Sequence, residues 1–72
     1  MNVMAIRKRN MDLDILPKDW AECLGITLQH AYKKLNGQSV LTLGQAIKIQ
    51  ELLKIDDEEF GFYFLSERSR IS

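Results

Sequence analysis

The 72 residues include ten basic and ten acidic side chains, so the formal net charge is zero, and hydrophobic residues make up 46% of the chain. A chain of this size forms one domain that hides only about 60% of its unfolded surface, so the core is small. Residues 1–6 are too short for a signal-peptide core, no apolar run approaches membrane-spanning length, and a single cysteine makes no internal disulfide; a cytoplasmic setting is expected.

In chain order the pattern is helical throughout, with no strand-like alternation, repeat or low-complexity linker, and it predicts a compact all-α domain of five helices. The first helix is expected over residues 2–13, with Val3, Ile6, Asn10 and Leu13 on one stripe and Arg7-Lys8-Arg9 mostly outside it. Pro17 suits the first turn of a second helix because its missing N–H costs nothing there, and Asp19 favours the positive end of the dipole. That helix should stop at Leu24. Gly25 suits the left-handed conformation that ends a helix, and Thr27 can cap the next one.

On the third helix Leu28, Ala31 and Leu35 follow the i, i+3, i+7 spacing of a buried stripe, which puts Gln29, His30 and Lys33 on the opposite face. Asn36-Gly37 ends it. After the loop Gln38-Ser39-Val40-Leu41, Thr42 and Gln45 have the spacing of a capping box for a fourth helix with Ala46, Ile49 and Leu53 inward and Ile47 and Leu52 flanking. Asp56 and Glu59 repeat that spacing ahead of Phe60, Tyr63 and Phe64, with Phe62 off the stripe. Residues 66–72 read as a frayed tail.

The unit spanning residues 17–37 has the spacing of a helix-turn-helix, in which Ala21 is the small residue that lets the second helix cross and Gly25 makes the turn. No nucleophile, base and orienter can be assembled, so neither an enzyme nor a small-molecule substrate is expected. His30 has no second histidine or cysteine at ligand spacing, so no metal or other cofactor is expected. Cys23 reads as packing. The aromatic residues Trp20, Phe60, Phe62, Tyr63 and Phe64 read as core before stacking platform, and Arg7-Lys8-Arg9 as a solvated face.

Taken together, Leu24-Gly25-Ile26-Thr27, Lys33-Lys34-Leu35-Asn36-Gly37, the helix from Thr42 through Ala46 to Ile49, and the acid-led aromatic segment 56–64 resemble the phage Cro and repressor class of helix-turn-helix proteins. The resemblance covers residues 20–64. It implies a lambda-repressor-like helical domain that places its third helix against DNA and serves the choice between lysis and lysogeny. Length and content look similar to the modulators of repression of temperate phages of Gram-positive bacteria, which implies a repressor protein as partner.

Two departures bear on that partner. Family members open the second helix with a glutamine that clamps a phosphate; Pro17 stands here and has no donor. The third helix opens on Leu28, where a polar residue is usual. Lys18, Lys33 and Lys34 against Asp19 and Glu22 leave a surplus of one positive charge across residues 17–37, so DNA binding by this chain alone is expected to be weak. Leu28 reads equally as core or as an interface residue. Two functions stay open. One is an interaction protein that docks on the repressor through Leu28, Gln29, His30 and Lys33 and alters its hold on operators. The other is a self-sufficient Cro-like reader, with Gln29 and Lys33 on base edges and Lys34, Gln38 and the basic triplet on phosphates.

Overall fold

The computed structural model describes residues 1–65. It is a compact all-helical globule with no strand among the described residues. The helices are α1 (Val3–Asp12), α2 (Pro17–Leu24), α3 (Leu28–Leu35), α4 (Leu43–Leu52) and α5 (Asp57–Phe60), the last continuing into a wider π-helical turn at Gly61–Leu65. The expected tail, 66–72, lies outside the described residues. No described helix is long and apolar enough to cross a membrane.

Most helix starts are set by short side chains. The first amides of a helix have no intrahelical acceptor, so a nearby side-chain oxygen is stabilising there. Asn2 Oδ1 accepts from Ala5 N and Thr27 Oγ1 from His30 N. Thr42 and Gln45 form both halves of the expected capping box. Pro17 opens α2, and Asp19, beyond favouring the dipole, takes a 2.8 Å hydrogen bond from Leu16 N.

The α5 start differs from expectation. Asp56 makes no side-chain cap, and Glu59 N bonds the Asp56 carbonyl instead. The fastening comes from α4: Gln50 Nε2 donates to both Ile55 O and Asp57 Oδ1, the latter at 2.7 Å.

Four helices end in the same way. Ile15 N bonds Asn10 O, Ile26 N bonds Ala21 O, Gln38 N bonds Lys33 O and Ile55 N bonds Gln50 O. Each of these closures spans a residue at positive φ, namely Asp14 (56°), Gly25 (67°), Gly37 (78°) and Lys54 (56°). This is the Schellman closure, in which a left-handed residue lets the chain satisfy the last carbonyls. Isoleucine follows the left-handed residue in three of the four and packs back on the core.

The core lies where α1, α2, α3, α4 and the turn after α5 meet. Ile6, Trp20, Ile49 and Leu53 are its largest wholly buried side chains, with Leu24, Ala31, Leu35 and Phe64 around them. Burying each large apolar side chain contributes about 1.5–3 kcal/mol relative to leaving it in water. The α1 stripe is as expected: Ile6 and Asn10 are buried, and Val3 and Leu13 are half-buried. Asn10 is tolerated there because its Oδ1 accepts from Trp20 Nε1 at 3.1 Å. Phe60 and Phe64 stack at 4.8 Å, and Phe62 stays exposed, off the stripe as expected.

Two stability changes follow from the helix ends. A Cβ added at Gly25 meets no atom within 4 Å, so a substitution there is opposed by its φ of 67° alone. Gly25→Val should cost roughly 1–3 kcal/mol and Gly25→Asn, which tolerates that conformation, clearly less; equal melting temperatures for the two variants would contradict the closure. Lys54→Gly relieves a left-handed non-glycine residue and should raise stability by up to about 1 kcal/mol in urea unfolding, whereas Gly25→Ala should lower it.

Candidate interaction face

Because Thr27 caps α3 and Gly25-Ile26 set its direction, the short turn decides which residues the helix presents. Ala21 is half-buried at this crossing, and its carbonyl accepts from both Gly25 N and Ile26 N. The inward face of α3 is Ala31, Lys34 and Leu35. Leu28, Gln29, His30, Tyr32 and Lys33 are exposed.

Leu28 does not join the core stripe that its spacing suggested, and is 47% exposed. At about 100° per residue Leu28 lies roughly 60° from Ala31 and roughly 120° from Lys34, at the edge of the inward face, and it is the first residue of the helix. Tyr32, one turn beyond Leu28, is 50% exposed. Sequence reading did not single it out, although the i, i+4 relation to Leu28 was the available signal. A leucine and a tyrosine thus stand one turn apart in solvent, with Gln29 and Lys33 beside them and His30 further round the helix.

Lys34 is corrected from a phosphate-facing position to an internal one. It is only 9% exposed, and its Nζ donates to Ser39 Oγ at 3.3 Å and to Val40 O at 3.0 Å. The ammonium ties the end of α3 to the loop that follows. Gln38 is exposed on that loop, and neither its side chain nor that of Lys33 makes a hydrogen bond among the described residues.

The basic triplet is likewise not a plain solvated face. Arg7 Nη2 donates to Asn36 Oδ1 at 3.0 Å, joining α1 to the end of α3. Arg9 is half-buried, and its Nε and Nη2 reach Leu53 O and Lys54 O, each at 2.9 Å. Those carbonyls belong to the C-terminal end of α4, where free acceptors and the negative dipole end both favour a cation. Lys8 pairs with Asp12 one turn on.

Cys23 is half-buried and its Sγ lies 3.6 Å from Lys48 O. Burial pushes its thiol up from 9.0; Lys48 opposes that shift and Glu51 adds to it. The reactive thiolate is therefore disfavoured at neutral pH, in keeping with a packing role.

The α3 face carries two apolar bodies, an amide, an imidazole and one ammonium. Comparison of the chain with family models, with curated proteins and with solved structures finds no match in any of the three.

Proposed function

We propose that this protein is a helix-turn-helix regulator of a phage lysis/lysogeny switch that acts by docking α3 onto the phage repressor, changing the repressor's hold on its operators. The observation that carries this reading is the exposure of Leu28 and Tyr32 one turn apart on α3. Apolar residues of this size, ringed by polar neighbours, are what a protein interface uses as anchors, and tyrosine is among the residue types enriched there. A phosphate-gripping surface would use cations in the same place. On α3 Lys33 is the lysine left outward, since Lys34 is fastened to Ser39 and Val40. Of the basic triplet that a self-sufficient DNA reader would use, Arg7 and Arg9 donate to Asn36 and to the end of α4, and Lys8 pairs with Asp12. With so few free cations near α3, counterion release supplies little affinity for DNA.

The test is a mobility-shift experiment with the matched repressor and operator DNA. The protein alone should give no specific shift at nanomolar concentration and physiological salt, and should alter the shift that the repressor produces. Leu28→Ala and Tyr32→Ala should each weaken repressor binding by upwards of about 1 kcal/mol, roughly fivefold or more, with helix content retained because both side chains are half in solvent. Unchanged repressor affinity in both variants would remove α3 as the docking face. A tight shift by the protein alone would replace this reading with the Cro-like one.

A further inference from the structure

A second surface lies away from the α3 face. The α3–α4 loop, the start of α4 and the end of α5 enclose an open groove of about 420 Å³. Ala46 and Phe64 are buried at its base and Phe60 is half-buried beside them. Its rim is apolar and in water: Val40 is 86% exposed, Leu43 69% and Leu65 47%. Met1 also lines it, and among the described residues no lysine or arginine does. The ammonium of Lys34 lies beneath the rim and is bound to Ser39 and Val40. Phe60, one wall, directly follows Asp56, Asp57, Glu58 and Glu59, all exposed. Asp57 accepts from Gln50, and none of the four has an ion-pair partner among the described residues.

We infer that this groove binds a short amphipathic segment of another protein, with aliphatic side chains in the groove and lysine or arginine beside them against the acidic turn. Size and charge choose this occupant. A stable dimer of the chain would bury about 800 Å² on each copy, and three exposed aliphatic rim residues make a smaller patch than that. A two-fold contact would also bring one acidic turn towards the other, since both copies use the same patch. A short segment needs only the groove, and a basic flank meets the exposed acidic turn, which has no ion-pair partner among the described residues. The inference is independent of the proposed role of α3.

The test uses a fluorescein-labelled synthetic twelve-residue peptide with two leucines one turn apart flanked by lysines, and the same peptide with glutamate for lysine. Saturable anisotropy changes are expected for the lysine peptide, with methyl shifts concentrated at Val40, Leu43 and Leu65. Leu43→Ser and the double variant Glu58→Lys/Glu59→Lys should each weaken binding at least tenfold, and Leu28→Ala should leave it unchanged. All four replaced positions are exposed, and circular dichroism checks that the helices persist. Equal binding of the two peptides would overturn the inference, as would undiminished binding by Leu43→Ser. Val40 and Leu43 methyl shifts that depend on protein concentration in the absence of peptide would overturn it in favour of a second copy.

Discussion

The buried hydrogen bond between Trp20 and Asn10 is the joint on which the rest of the molecule depends. A core this small has one large aromatic at its centre, and an indole shut away from water leaves an N–H that must find an acceptor. Asn10 supplies it from α1, while its own backbone carbonyl accepts from Ile15 N to close that helix. One residue therefore ends α1 and fixes where α2 sits. With α2 placed, the Gly25-Ile26 turn sets the course of α3, and the face bearing Leu28 and Tyr32 follows.

What the amino-acid pattern made readable was largely what depends on neighbours in the chain. Caps at Thr27 and Thr42, Pro17 at the head of α2, Gly25 at its end and the Ile6, Ala46, Ile49 and Leu53 stripes are all local rules of spacing and side-chain chemistry, and each appears in the structure. What escaped were contacts between distant residues. Lys34 carries no local mark of being inward; its burial depends on how the loop folds back over it. Arg9 finds the end of α4 more than forty residues away. Asp56 has the sequence of a cap, yet Gln50 of the preceding helix does the fastening through Asp57. The candidate site was partly legible for the same reason. Gln29, His30 and Lys33 fall outward by periodicity alone, whereas spacing does not decide between core and solvent for Leu28: Leu35, roughly 20° round the helix from it, is buried.

The cations reveal a division of labour within an electrically neutral chain. Arg7, Arg9 and Lys34 each bridge separate parts of the fold, two of them by holding carbonyls that a helix end or loop would otherwise leave to water. Such charge-assisted bonds are stronger than neutral ones and contribute where a core of this size is limited. The acidic residues before Phe60 have a smaller internal role, Asp57 excepted, and stay on the surface. Anionic and cationic side chains are thus balanced in number and unlike in use.

The backbone N–H of Asn2 donates to the carbonyl of Tyr63 at 2.7 Å, so that the first helix begins against the last. This link gives the molecule a late step in folding. The α2–α3 pair can form from residues close together in the chain, but joining residue 2 to residue 63 closes a loop spanning almost the whole described chain, with the entropy cost that long loops carry. Release of the same clasp would loosen α1, which carries both the acceptor for Trp20 and the guanidinium holding the end of α4. Amide exchange would accordingly spread inward from the two ends of the described chain.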